Sequence, residues 1–316
     1  HGYNEQKDAL TINTTPGRKP KQDKESLGKN EFNVIKIIFM GDYIIKLLIL
    51  GAAGSMGKLI STLALNDSNI EVIAACDVHD IGTKLGILAA TQDPKSLEIR
   101  DVNDLQSIID ETKPDVAVDF SIAEATEKNC MICVKNQIKC VIGTTGLSQD
   151  FLDEFERLVI KNQSPAVISS NMATGVNIFF KMISILTPYL KDWDIEILEA
   201  HHHRKRDAPS GTALRIGEII ADKLGIKFNE VAKFGRSRGP NKRMVGAKNE
   251  IGFHSIRAGD IVGDHVVFFA GPGERIEFKH QAHSRNCFAS GAIKAIKFIA
   301  NASENKIYNT QEVLGL

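Results

Sequence analysis

Ile44-Ile45-Lys46-Leu47-Leu48-Ile49-Leu50-Gly51-Ala52-Ala53-Gly54-Ser55-Met56-Gly57 is the stretch on which the reading of the fold turns. Its first seven residues are apolar except Lys46, the pattern of a parallel strand covered on both faces. A Gly51-x-x-Gly54-x-x-Gly57 turn follows at once, then a helical pattern with Met56, Leu59, Ile60 and Leu63 on one side. Ile70-Glu71-Val72-Ile73-Ala74-Ala75-Cys76 reads as a second strand, and Asp77 ends it twenty residues beyond Gly57. Strand, glycine turn, helix, strand and terminal acid together make a dinucleotide-binding unit. The glycines give a tight turn and let backbone approach a pyrophosphate, while the acid is placed for ribose hydroxyls. Gly51, Ala52, Gly54, Ser55, Met56, Gly57 and Asp77 are therefore candidate cofactor contacts.

The alternation of strand and helix continues downstream. Val102 to Ile109 suggests a helix, Asp115 to Ser121 a buried strand, and Ala123 to Val134 a helix. Lys139 to Ile142 is a strand running into Gly143-Thr144-Thr145-Gly146, and Ala166 to Asn171 follows a helix near Ser148 to Lys161. Turns at the carboxyl ends of such strands line the cofactor crevice, which adds Phe120, Gly143, Thr144, Thr145, Ser170, Asn171 and Met172 to the candidates. The expected class is α/β: a doubly wound Rossmann domain over 40–172.

The rhythm then changes. Gly175 to Leu190 reads as one long amphipathic helix, Asp194 to Glu199 alternates like a strand, and several strands fall between Glu230 and Lys279. His265-Val266-Val267-Phe268-Phe269-Ala270 and Glu274-Arg275-Ile276-Glu277-Phe278-Lys279 look like a hairpin across Gly271-Pro272-Gly273. Residues 173–281 are thus expected to form an α+β substrate-binding domain with a mixed sheet. Cys287 to Ala300 is a last apolar helix, and 282–316 is expected to return to the first domain.

Residues 1–39 are polar and aperiodic, and the first methionine is Met40. They read as a disordered extension, a remnant of expression or a targeting remnant. Cytoplasmic residence is the expectation, with a plastid open if that segment is a targeting remnant.

Composition narrows the function classes. The 316 residues balance 39 Lys and Arg against 39 Asp and Glu, so no global field draws the protein to nucleic acid or membrane. No apolar run of about 18 residues suits a membrane span. Five cysteines, mostly in apolar runs, suit a reducing compartment. Cys130-x-x-Cys133 lies in a helical pattern without a second pair, so it reads as structural thiols, and no metal site is assigned.

The chemistry concentrates in Glu196-Ile197-Leu198-Glu199-Ala200-His201-His202-His203-Arg204-Lys205-Arg206-Asp207-Ala208-Pro209-Ser210-Gly211-Thr212-Ala213. A helical pattern begins at its end, so Ser210 or Thr212 is a candidate cap. A helix start presents free N–H groups and positive dipole charge to an anion. His201, His202 and Lys205 lie just upstream as proton donors or charge clamps.

This segment resembles the signature of 4-hydroxy-tetrahydrodipicolinate reductases (dihydrodipicolinate reductases), Glu-Ile-x-Glu-x-His-x-x-x-Lys-x-Asp-x-Pro-Ser-Gly-Thr-Ala, without a break. The Gly51–Gly57 turn, Asp119-Phe120-Ser121, Gly143-Thr144-Thr145-Gly146, Asn171 and Arg257-Ala258-Gly259-Asp260-Ile261-Val262-Gly263 occur in family order, from about Ile44 to the C-terminus. The resemblance implies NAD(P)H-dependent reduction of a cyclic, nitrogen-containing dicarboxylate in lysine and diaminopimelate biosynthesis. It implies His201 as general acid assisted by Lys205, and His202, Ser210, Gly211, Thr212 and Arg285 as substrate contacts. It also implies a homotetramer, with 173–281 as the oligomerisation domain. Some members carry Arg after the second glycine and after the acid, where this chain has Ser55 and Val78. Fewer cations for a 2′-phosphate favour NADH over NADPH, with Lys58 and His79 close enough in sequence to keep NADPH open. An amino-acid or semialdehyde dehydrogenase would need another substrate motif, and a nucleotide sensor without catalysis would not need His201 and Lys205.

Overall fold

The computed structural model describes residues 43–93, 96–243 and 250–316. The 1–39 segment lies outside them.

The first sheet grows from β1 (Ile45–Leu50), α1 (Ser55–Leu65), β2 (Ile70–Asp77), α2 (Leu85–Leu88), β3 (Ile99–Asp101), α3 (Leu105–Thr112), β4 (Val116–Asp119), α4 (Ala123–Lys135), β5 (Lys139–Ile142), α5 (Gln149–Asn162) and β6 (Ala166–Ile168). All pairings are parallel, and the strands from β3 to β6 lie in the order β3-β2-β1-β4-β5-β6. The chain leaves β1 in one direction and returns to its other side at β4, so the strand order reverses between them. That reversal opens a crevice at the carboxyl ends of the two strands. Consecutive residues Leu47 and Leu48 point to opposite faces, and both are fully buried in the apolar layers that flank the sheet.

The second half contains α6 (Thr174–Leu186), β7 (Asp194–His201), α7 (Gly211–Leu224), α8 (Phe228–Val231), β8 (Ala232–Phe234), β9 (Ile251–Arg257), β10 (Gly263–Gly271) and β11 (Glu274–Ala282). Its mixed sheet runs β11-β10-β7-β9-β8, with β7 parallel to β9 and antiparallel to β10. β10 and β11 form the expected hairpin, extended to the pairs Gly263–Ala282 and Gly271–Glu274. The apolar helix expected over 175–190 ends at Leu186 and passes into a 3-10 turn, Thr187–Leu190. Pro188 has no N–H to continue the ladder, and the Thr187 hydroxyl instead donates to the Ile183 carbonyl at 2.7 Å.

After β11, α9 (Asn286–Ala300) lies on the first sheet, where Ala289, Ala292, Ile296 and Ile299 join the core of β1. Gly291 permits this contact, since a Cβ there would fall 1.7 Å from the Met172 carbonyl oxygen. β12 (Ile307–Tyr308) then adds a parallel strand beside β6, and α10 (Thr310–Val313) closes the described chain.

One stripe of β7 connects fold to site. Ile195, Ile197, Glu199 and His201 alternate along one face, as strand geometry requires, and all four are buried. The stripe starts as core against Phe253, Val267 and Phe269 and turns polar at its last two residues.

Candidate active site

A cleft of about 1020 Å³ is lined by residues from both sheets. The first contributes Met56, Phe120, Gly143, Thr145, Ser170, Asn171 and Met172, all expected cofactor contacts. The second contributes His201, His202, Lys205, Ser210, Gly211 and Thr212, and Arg285 enters just before α9. Every substrate-side candidate therefore lines one cavity.

His201 is the last residue of β7 rather than a member of the loop after it. Its Nδ1 lies 2.5 Å from Glu199 Oε2, and its Nε2 makes no hydrogen bond to a described residue. Glu199 is 1% exposed and receives the Arg257 guanidinium in a fork, 2.8 Å to each oxygen. It also accepts from the Ser210 backbone N–H at 3.2 Å. Burial alone would raise the Glu199 pKa, but the His201 and Arg257 hydrogen bonds prevail and hold it at about 2. Lys205 pairs with Asp207 at 2.7 Å, and Arg204 with Asp260 at 3.1 Å. His202 has its pKa lowered, first by desolvation and then by the nearby Arg204 and Arg285.

Ser210, not Thr212, caps α7: its hydroxyl accepts the Ala213 N–H at 3.2 Å. The Leu214 N–H is taken by the Ser210 carbonyl. The N–H groups of Gly211 and Thr212 have no acceptor among the described residues, and a Cβ on Gly211 would meet open space. Two free amides thus face an anion at the start of a 14-residue helix. Asn171 Nδ2 reaches the Thr212 hydroxyl at 3.3 Å, which ties this helix start to the end of the first sheet. Arg285 makes no ion pair with a described residue, so its charge is available to a ligand.

Gly51, Ala52, Gly54, Ser55, Gly57, Asp77 and Thr144 lie outside the lining of this cavity. Gly51 has φ +77°, a left-handed turn that favours glycine. The missing Cβ of Gly57 serves close packing, because a Cβ there would stand 2.1 Å from the Gly51 carbonyl oxygen. α1 has no side-chain cap and no acid in its first turn, and the N–H groups of Ser55, Met56 and Gly57 lack acceptors among the described residues. That cradle fits a pyrophosphate. Asp77 Oδ2 accepts from Ala53 N at 2.9 Å, and Oδ1 accepts from Val78 N and His79 N. Of about four acceptor positions on a carboxylate, one is left for a ribose hydroxyl. The Thr144 hydroxyl is turned into a buried network with Thr126 and Asp119. Cys130 and Cys133 are buried on α4 as free thiols.

Arg257 and His265 were not singled out for any role from the sequence. Strand register brings them in: Arg257 lies opposite His201, and His265 opposite Glu199. His265 Nε2 is 3.0 Å from the Ser210 hydroxyl, and its ring meets that of His201 edge-on at 5.3 Å. Desolvation, then the neighbouring His201, lowers its pKa to about 3, so it is neutral. The only local hint was the family-ordered stretch that begins at Arg257.

Comparison with known proteins agrees with this geometry. The family model described as dihydrodipicolinate reductase, N-terminus, matches residues 45–172, and that described as its C-terminus matches 175–314. A 4-hydroxy-tetrahydrodipicolinate reductase of Methanococcoides burtonii is 44% identical over 84% of this chain and 97% of its own. One from Methanocaldococcus jannaschii is 44% identical over 86% of this chain and 98% of its own. Among solved structures, the dipicolinate-bound dihydrodipicolinate reductase from Paenisporosarcina sp. TG-14 superposes with a TM-score of 0.68 at 26% identity, covering 85% of this chain and 98% of that one. An amine dehydrogenase from Mycobacterium smegmatis shares the fold, with a TM-score of 0.52 at 12% identity over 82% of this chain and 93% of its own. With both family models matched end to end across the two sheets that frame the cleft, the chain belongs to the dihydrodipicolinate reductase family.

Proposed function

We propose that the cleft reduces its substrate with His201 as general acid, Lys205 assisting, and two anchor points for a dicarboxylate. The enzyme is a 4-hydroxy-tetrahydrodipicolinate reductase of lysine biosynthesis, an oxidoreductase that uses NAD(P)H. The observation that carries the residue roles is that the free Nε2 of His201, the free amides of Gly211 and Thr212, and Arg285 belong to one cavity.

The substrate of this reaction carries two carboxylates. One sits at the start of α7, where the amides of Gly211 and Thr212 and the helix dipole offset its charge. The other meets Arg285, whose planar fork suits a carboxylate. Lys205 and His202 flank the ring between them. The 4-hydroxyl leaves as water to give an unsaturated ring, the nicotinamide when bound would supply hydride to that ring, and the amides of Ser55, Met56 and Gly57 would hold its pyrophosphate. His201 then delivers a proton from Nε2 to the ring atom left electron-rich, a role a histidine fills near neutral pH. Asn171, bonded to Thr212, keeps the helix start in register with the cofactor wall.

The cofactor favoured by this wall is NADH. Ser55 and the 57%-exposed Val78 stand where a 2′-phosphate would need cations, and Asp77 takes a ribose hydroxyl. A cytoplasmic homotetramer remains the proposed state, supported by the exposed Ile256 and Ile276 on the second sheet. No helix among the described residues is long and apolar enough to cross a membrane.

His201→Gln tests the proton role. Turnover should fall by about 10²- to 10⁴-fold, with the dissociation constant for cofactor unchanged in a fluorescence titration. Parental turnover in this variant would remove His201 from the role.

A further inference from the structure

We propose that Glu199, held by Arg257, is the positioning residue of the proton donor: it takes the Nδ1–H of His201 and so commits Nε2 to the substrate. The inference rests on the reading of His201 as general acid.

An imidazole has two nitrogens, and the hydrogen bond made by one decides what the other presents. Here Nδ1 is 2.5 Å from a buried carboxylate that, being ionised, can only accept. Nδ1 therefore carries a hydrogen at any pH at which Glu199 is charged. Nε2 is the nitrogen left to face the substrate, and it has no hydrogen-bond partner among the described residues. Gly263 keeps that edge of the ring open, since a Cβ there would lie 3.1 Å from Nε2.

Glu199 is itself over-determined. Arg257 grips both oxygens, Ser210 N–H binds Oε1, and Arg257 also donates to the Asp207 carbonyl. The carboxylate thereby joins the strand that bears the acid to the turn that starts α7. A shift of the helix start that binds a carboxylate would be felt at the imidazole through a single side chain.

Several charges surround the ring. Glu199 on β7 is the one anion bonded to it, and Arg257 from β9 offsets part of that charge. His265 from β10 is neutral, while Lys205 and Arg204 of the loop are paired with Asp207 and Asp260. His202 and Arg285 complete the surroundings. Removing the Glu199 charge leaves the Arg257 cation uncompensated, so the groups facing the ring become more positive.

The experiment compares Glu199→Gln, His201→Gln and the parent in kcat and in the pH profile of kcat/KM. The expected result for Glu199→Gln is a turnover loss of at least about tenfold. The pH profile of its kcat/KM should depart from the parent's, with cofactor affinity unchanged. A Glu199→Gln enzyme with parental turnover and profile, beside an inactive His201→Gln, overturns the positioning role and leaves His201 as the acid. A His201→Gln enzyme with parental turnover and profile overturns the reading beneath both. Should Glu199→Gln not fold, histidine-selective 15N NMR of the parent decides, with His201→Gln identifying the signals. A neutral His201 carrying its proton on Nδ1 is the expected tautomer, and a proton on Nε2 overturns the proposal.

Discussion

Gly57→Ala is the perturbation whose size the structure fixes most tightly. The added Cβ would stand 2.1 Å from the Gly51 carbonyl oxygen and 2.7 Å from the Ala52 Cα, both backbone atoms. No side chain can rotate away, so α1 must move relative to the turn. Bringing the oxygen contact to 3.0 Å needs a displacement of at least 0.9 Å (3.0 − 2.1). An N–H···O bond near 2.9 Å stretched by that much leaves the range of about 2.7–3.2 Å in which it counts as a bond. Each hydrogen bond to a charged group is worth about 1.5–3 kcal/mol. Losing one of the amides at Ser55, Met56 or Gly57 therefore weakens cofactor binding about ten- to hundredfold. Overpacking adds about 1–3 kcal/mol of destabilisation. Calorimetric titration with NADH and NADPH measures the first effect, and thermal unfolding of the unliganded protein the second. Parental affinity for both cofactors, in a variant that still melts cooperatively, would refute the assignment of the pyrophosphate to this helix start.

Three further outcomes follow from the same geometry. Val78→Arg should raise the NADPH/NADH ratio of kcat/KM, by adding a cation at an exposed position one residue beyond Asp77; an unchanged ratio would mean that this end of β2 does not face the ribose. Arg285→Leu should raise KM for the dicarboxylate about ten- to hundredfold, the worth of a charged hydrogen bond, without altering cofactor affinity, and an unchanged KM would remove Arg285 from the substrate site. The third outcome concerns acid stability. A histidine whose folded pKa is depressed binds its proton in the unfolded chain first, so stability falls as pH drops from about 6.5 towards about 3 for His265. Glu199 has the opposite charge type and the same consequence: its contribution is whole above its ordinary value near 4.5 and is lost as pH falls towards about 2. Melting temperatures of His265→Asn between pH 6.5 and 4.5 should fall less steeply than those of the parent, and parallel slopes would contradict this.

The first half of the fold was legible because its signals are local. An apolar run broken only by Lys46, a glycine turn and an acid at fixed spacing specify β1, α1 and the end of β2 without reference to anything distant. β3 has three residues and β12 has two, too short for periodicity to register, and each is a strand only because a neighbour's edge is there to pair with. The helix over 175–190 was read too long because its apolar positions continue past Leu186, while Pro188 ends the hydrogen-bond ladder.

The site divides the same way. His201, Lys205, Ser210, Gly211 and Thr212 lie within twelve residues, and their types alone suggest a proton donor beside an anion hole. Arg257 and His265 reach the site through the register of β9 and β10 on β7, a property of three strands together that no window of sequence contains. Glu199 was visible as an acid of the motif, but its burial and its bond to His201 follow from the alternation of β7 against a core built elsewhere. Asp77 looked free to read ribose, yet three backbone N–H groups already use its oxygens.

Nicotinamide absorbance, followed while NADH or NADPH is supplied with freshly generated 4-hydroxy-tetrahydrodipicolinate, tests the reaction most directly. The expected result is oxidation that depends on the substrate, with the larger kcat/KM for NADH. Tight cofactor binding without oxidation of either nucleotide would contradict it and point to a nucleotide-sensing protein.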